Sequence, residues 1–307
     1  MKDFVNEISK IVNAKEDLIE KDVLLHQILL DLSKTNFVKE FVFKGGTCLI
    51  KCYLGYYRFS GDLDFTFIDQ NVFDNVSQKK IRGILSKKIN EVGEIFEGIS
   101  KQRKLEFKCN KKDKKYVELG GGNKFVTFKL WYTSVTGENS FVKIQINFVE
   151  EILFKIKELK LKGLKIESKE LSFLFPKLYS EYTSSVKFKV YDIREILCEK
   201  IRAILTRRGI KERDFIDVYL ISEEYKIKPE KLEREIAKKI NFMLKLYKKY
   251  RTNIKEKSEL LRVENYPFGS EKYLLLKKID KKQFYSFLNE FLEYLRILIT
   301  SLKSDDS

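Results

Sequence analysis

Residues 44–67, KGGTCLIKCYLGYYRFSGDLDFTF, restrict what this chain can fold into more than any other stretch. A short apolar strand, Phe41 to Phe43, runs into Gly45, Gly46 and Thr47. A helix follows from Thr47 to Tyr53, and a second strand from Arg58 to Ile68. A Gly-Gly-Thr turn leaves backbone N–H groups and a hydroxyl open to the oxygens of a polyphosphate. Asp62 and Asp64, one residue apart on a strand, project to the same side, while Leu63 and Phe65 face a core. Their like charges repel, and sharing one or two divalent cations is the usual remedy. A solvated pair at a strand end has the same spelling. Specificity comes from the Gly45-Gly46-Thr47 and Arg58-Phe59-Ser60 that precede it.

The rest of the chain bounds the chemistry. Its 307 residues predict two closely packed domains. The formal net charge of +16 favours a polyanionic partner, with nucleic acid or nucleotide first. A Lys/Glu-rich, heat-adapted proteome explains many charges but not so large an excess. The four cysteines, Cys48, Cys52, Cys109 and Cys198, have no paired CxxC spacing and read as free thiols rather than zinc ligands. His26 is the single histidine, which nearly excludes chemistry that depends on imidazole. The N-terminus has no signal-type apolar core, and no uncharged run is long enough to span a bilayer. A cytoplasmic protein without a membrane partner is expected.

Apolar periodicity predicts two helices between Phe4 and Leu32, breaking at Asn13 or Ala14, and another over 72–96. Strands are expected at Leu105 to Cys109, Lys124 to Thr133, Phe141 to Val149 and Val186 to Val190. Leu153 to Leu164 reads as a hairpin or edge segment. The run Gly120-Gly121-Gly122 is a turn, because no Lys-Ser/Thr pair completes a Walker loop. Pro176 closes a loop region. Beyond Tyr191 the pattern stays helical, at Ile193 to Arg208, Arg213 to Ser222, Pro229 to Tyr250 and Lys281 to Leu302, and the tail Ser304 to Ser307 is expected to fray. The boundary is drawn there: residues 1–190 form a mixed-sheet domain with N-terminal helices, and 191–307 a helical domain.

The combination Lys44-Gly45-Gly46-Thr47 followed by Arg58-x-Ser60-x-Asp62-Leu63-Asp64-Phe65 resembles the AbiEii/AbiGii family of nucleotidyltransferase toxins. That family includes the MenT toxins and belongs to the DNA polymerase beta superfamily. A second hallmark is similar to the family's lysine helix and following Arg-Asp pair: Glu199-Lys200-Ile201-Arg202, then Arg213-Asp214. The resemblance spans Lys44 to Asp217. It implies an α+β fold, with a polymerase-beta-like core on a mixed sheet followed by a helical C-terminal domain, and an active site lying between the two. It makes Gly45, Gly46 and Thr47 the triphosphate cradle and Asp62 and Asp64 the ligands of Mg²⁺ or Mn²⁺. Lys200 neutralises phosphate charge, and Asp214 completes the site.

Several positions stay open on the residues alone. Lys200 falls inside the apolar stripe of Ile193, Ile196, Leu197 and Ile204, so it is buried at a site or snorkels from the stripe's edge. Asp214 caps a helix, joins Asp217 in an ion-pair network, or acts catalytically. Arg58 binds phosphate or orients Asp62; Ser60 supports an aspartate or suits a turn. The strand Phe141 to Val149 is the natural donor of a third carboxylate, yet its polar face reads Lys143, Gln145 and Asn147, with Glu150 and Glu151 only at its end. No general base is assigned. Arg207, Arg208 and Lys211 are candidates for a nucleic-acid surface, as are Lys245, Lys248, Lys249 and Arg251 with Tyr247 and Tyr250.

The expected reaction is Mg²⁺-dependent transfer of a nucleoside monophosphate from an NTP to a hydroxyl, with RNA such as the tRNA 3′ end as acceptor. The expected setting is a toxin–antitoxin or phage-defence pair with a cognate antitoxin. Transfer to a protein acceptor, or a non-catalytic nucleotide- or RNA-binding module, are the alternatives.

Overall fold

The structure, a computed structural model, describes residues 1–304, with the side chains of Ser258, Lys303 and Ser304 left aside. Of the tail expected to fray, Ser304 ends the last helix, and residues 305–307 lie outside the described residues. Contacts divide the chain into two compact units: Met1–Glu150 with Ile156–Tyr191, and Glu151–Lys155 with the residues from Asp192 onward.

The first unit opens with α1 (Lys2–Val12) and α2 (Glu16–Leu32). Asn13 ends α1 in the left-handed conformation, which is why the apolar period breaks there. A short α3 (Phe37–Glu40) leads into β1 (Phe41–Lys44), and α4 (Gly45–Cys48) continues as a π-helical turn over Leu49–Leu54. The second strand is shorter than the sequence predicts, β2 (Asp62–Phe67), because Arg58 to Gly61 form a loop that doubles back on the glycine turn. The long helix α5 (Gln78–Arg103) begins at Ser77, whose hydroxyl accepts from the Lys80 amide, and ends at the left-handed Lys104.

A seven-stranded sheet completes the unit: β3 (Val117–Gly120), β4 (Phe125–Thr133), β5 (Asn139–Asn147), β6 (Lys157–Lys162) and β7 (Ser185–Val190) join β1 and β2 in the order β3-β4-β5-β2-β1-β7-β6. β2 pairs parallel to β5 and antiparallel to β1. Leu105 to Cys109 makes only one bridge, Glu106 to Trp131, instead of the expected strand. Pro176 does not close a loop; it opens α7 (Pro176–Thr183), directly after α6 (Lys169–Leu174), because proline suits a first helical turn. Phenylalanines fill the core on the apolar face of the central strands: Phe37 stacks on Phe41 at 4.4 Å between ring centroids and meets Phe65 edge-on at 4.8 Å.

The second unit is helical: α8 (Ile193–Thr206), α9 (Glu212–Tyr225), α10 (Glu233–Leu246), α11 (Lys249–Leu260) and α12 (Lys281–Ser304). Asp192 caps α8 by accepting from the Arg194 amide at 3.0 Å. Pro229 starts a 3-10 turn, and the segment read as continuous to Tyr250 breaks at Tyr247 into α10 and α11. No described helix is long and apolar enough to cross a membrane.

Candidate active site

β1 delivers Gly45 at φ 78°, a backbone conformation in which glycine carries no steric cost. A Cβ there would lie 2.2 Å from Asp64 Oδ2, so the turn closes directly onto that carboxylate. At Gly46 a Cβ would meet Arg58 Nη2 at 2.7 Å and Ser60 Oγ at 3.1 Å. Sequence and geometry therefore agree on why two glycines are adjacent here: one turns the chain under Asp64, the other admits the Arg58–Ser60 loop. Arg58 itself is buried, with Nη1 donating to the Phe59 carbonyl at 2.8 Å. Thr47 is also buried, and its hydroxyl donates to the Asp62 carbonyl at 2.6 Å, tying the start of α4 to the first residue of β2.

The π-helical turn behind α4 is pinned by a buried polar cluster. Lys51 Nζ lies 2.9 Å from Asp22 Oδ1, and Tyr56 and Tyr182 donate to Asp22 Oδ2 at 2.7 and 2.6 Å. Burial pulls the Lys51 ammonium below its ordinary value, and the Asp22 carboxylate opposes that pull. The cluster ties the π-helical turn to α2 and α7.

Alternation along β2 buries Leu63 and Phe65 and leaves Asp62 and Asp64 half-buried on the other face. The register sets their neighbours. Asp62 stands beside Lys143, and Asp64 beside Gln145 on one flank and Lys44 on the other. Lys143 Nζ lies 3.1 Å from Asp62 Oδ2. Glu150, the nearest acid at the end of β5, is buried and engaged elsewhere: Lys44 Nζ is 3.4 Å from its Oε2 and Asn147 Nδ2 donates to it at 3.0 Å. Among the described residues no group of three or more His, Cys, Asp or Glu side chains is gathered to hold a metal ion. The Asp62–Asp64 pair nevertheless fits Mg²⁺ of the kind that is bound through one or two carboxylates and completed by substrate phosphates and water.

In the second unit, the Lys200 side chain is 12% exposed. Its ammonium lies 3.0 Å from Asp214 Oδ1 and 2.6 Å from Asp217 Oδ2, and both aspartates are buried. Asp214 also pairs with Arg207 Nη1. Burial raises the Asp214 carboxyl's pKa, but the charges of Lys200 and Arg207 outweigh it and hold the group below its ordinary value. Asp214 sits inside the first turn of α9 and makes no capping hydrogen bond; Lys211 occupies the cap position. The ion-pair network that the sequence left as one alternative is thus present, built from α8 and α9.

Two further groups hold these helices. α11 staples the loop after α8: Asn253 Nδ2 donates to the Thr206 carbonyl at 2.7 Å, and Lys257 Nζ to the Arg208 and Gly209 carbonyls at 3.2 and 2.9 Å. Arg207, Arg208 and Lys211 are exposed on or beside that loop. Behind Lys200, the buried Lys239 ammonium on α10 lies 2.6 Å from Glu195 Oε1 and 3.1 Å from Glu199 Oε1. Glu195 Oε2 also accepts from the Leu153 and Phe154 amides, at 2.9 and 2.8 Å. Sequence reasoning did not assign Lys143, Lys239 or Lys257. The first follows from strand register; the other two are lysines among many, and only their burial distinguishes them.

Compared with known families, the chain matches the sequence profile described as "Nucleotidyl transferase AbiEii toxin, Type IV TA system" over residues 27–296. The chain belongs to the AbiEii family. No curated protein sequence matches it significantly. The AbiEii match takes in the sheet and the C-terminal helices, and the mixed sheet with those helices is an α+β nucleotidyltransferase fold. As an AbiEii member the chain is a nucleotidyltransferase toxin of a toxin–antitoxin system, which implies an NTP substrate and a cognate antitoxin.

Proposed function

We propose that this AbiEii chain transfers a nucleoside monophosphate from an NTP to a hydroxyl of RNA, such as the 3′ end of tRNA, in a Mg²⁺- or Mn²⁺-dependent reaction that serves phage defence. The observation that carries the reading is the closure of the Gly45 turn onto Asp64, beside Asp62 on the same strand face. Asp62 and Asp64 hold the divalent ion. Gly45, Gly46 and Thr47 offer main-chain amides to the triphosphate, and Arg58 and Ser60 shape the loop against them. Lys200 neutralises phosphate charge, and Asp214 holds that lysine in place. Arg207, Arg208 and Lys211 contact RNA. The acceptor oxygen bonds to the α-phosphorus as the bond to the β-phosphate's bridging oxygen breaks. Pyrophosphate leaves with the electron pair, and the hydroxyl proton passes to solvent. When bound, the ion neutralises charge on the phosphates; the protein's own share is positioning and fixed charge.

The test incubates the protein with each radiolabelled NTP, Mg²⁺ and total tRNA, beside an Asp64→Ala variant. Label on RNA is expected with the wild type and should fall by about 100-fold or more in the variant, the scale on which removal of one preorganised electrostatic group acts. Label on protein instead would move the acceptor to a polypeptide. No transfer with any NTP would overturn the enzymatic reading.

A further inference from the structure

We infer that Lys143 takes the place of a third metal-binding carboxylate, so that the active site works with one divalent ion and one protein ammonium rather than two ions. This deepens the proposed function and rests on it.

β2 and β5 run parallel with Asp62 opposite Lys143 and Asp64 opposite Gln145, and residues opposite one another in a sheet project to the same face. A carboxylate at position 143 or 145 would therefore join the two aspartates. Neither position has one, and the nearest acid, Glu150, is buried against Lys44 and Asn147. A two-ion clamp needs ligands for both ions. The face offers two carboxylates and, at 3.1 Å from Asp62 Oδ2, the Lys143 ammonium; Lys44, opposite Asp64 on β1, has its ammonium 3.4 Å from the Glu150 carboxylate.

Position alone does not make the lysine functional; its charge and exposure do. The Lys143 and Asp62 side chains are 31% and 38% exposed, so the pair stands open to solvent rather than locked in a core. A carboxylate has about four lone-pair sites. Lys143 engages Oδ2 of Asp62, and a single ion would be held by the other Asp62 oxygen and the Asp64 carboxylate. A fixed ammonium beside that ion provides positive charge where phosphate charge builds up, without needing a second set of ligands. In this scheme Lys143 positions Asp62 and adds fixed positive charge beside the ion without ligating it.

Mn²⁺ titrations followed by electron paramagnetic resonance test the idea on the full chain, with and without an α,β-methylene NTP. One bound ion per chain is expected in the nucleotide complex; two in the wild type would overturn the inference. Without nucleotide, Lys143→Met removes the competing cation and should tighten Mn²⁺ binding by about two- to fivefold, the equivalent of an exposed ion pair. Lys143→Glu should bind a second ion in the nucleotide complex. Lys143→Arg should keep one ion and most of the transfer activity, whereas Lys143→Met should lose about tenfold or more. Unchanged Mn²⁺ affinity in Lys143→Met, or a single ion in Lys143→Glu, would sink the proposal. Wild-type chain that binds one ion but labels no acceptor would refute the proposed reaction and leave the ion count standing.

Discussion

His26 is the chain's one histidine and is fully buried on α2, its ring edge-on to Tyr182 at 5.8 Å between centroids. Burial, reinforced by the Lys51 charge, lowers its pKa to about 3. A base whose folded pKa lies below its unfolded value contributes stability that is complete above the unfolded pKa, about 6.5, and is lost as pH falls toward the folded one. Stability should therefore drop by up to about 1.4 kcal/mol per pH unit between pH 6.5 and 4.5, before most carboxylates titrate. His26→Phe should flatten that limb in denaturant melts across pH; an unchanged slope would show that His26 does not set it. Lys200 calls for a different design. Removing it alone strips a cation from the buried Asp214 and Asp217, a change that costs about 3–5 kcal/mol. Lys200→Met with Asp217→Asn should recover much of that stability while nucleotidyl transfer stays lost, so thermal melts and the transfer assay together separate folding from chemistry. At this scale the backbone was most legible, at Gly45, Gly46, Asp62 and Asp64, where the expected turn and the same-face carboxylates are present. It was least legible where a side chain is spent on its own fold. The Thr47 hydroxyl looked open to phosphate, but it is tied to the Asp62 carbonyl, a bond that depends on how α4 meets β2.

α8 is held as an element by charges on its buried side as much as by its apolar stripe. Glu195 and Glu199 both face the Lys239 ammonium, and Glu195 also fastens the segment around Leu153. Lys239→Met should leave those carboxylates without their shared cation and destabilise the second unit by about 3–5 kcal/mol in urea melts, whereas Lys238→Met, one residue away, should change stability by less than about 0.5 kcal/mol. Helices with a strong apolar period, such as α1, α8 and α12, were legible in outline because burial and period coincide. α11 was not. Its side chains Ile254 and Lys257 are buried among mostly charged, exposed neighbours, so its sequence carries almost no stripe. β3 escaped for a related reason, being four residues at the sheet's end with two of them exposed.

For the whole molecule, the net charge of +16 makes binding to RNA a salt-dependent quantity. Filter binding of tRNA should weaken linearly with salt on logarithmic axes. Arg208→Glu with Lys211→Glu should shallow the slope by about 0.7 for every single-stranded phosphate that is no longer neutralised. An unchanged slope would move the RNA surface away from the loop after α8. Charge is the one property that composition reports without any knowledge of the fold, and also the one that says least about where a partner binds. Which of the 61 basic residues are already committed to an acid could be learned only from the structure. Arg207 and Lys200 are committed to Asp214, while the chain's periodicity gives no sign of it.

The sheet ends at β6, whose sequence Lys157-Glu158-Leu159-Lys160-Leu161-Lys162 turns three ammonium groups to solvent along the sheet's outer edge. A bare edge is a template on which a second copy can add its own strand, and crowding a cell with such a protein invites insoluble assemblies. Here a copy approaching in register would bring lysine against lysine. The basic excess that suits a polyanion thus also works as a colloidal safeguard against the chain condensing through its own sheet.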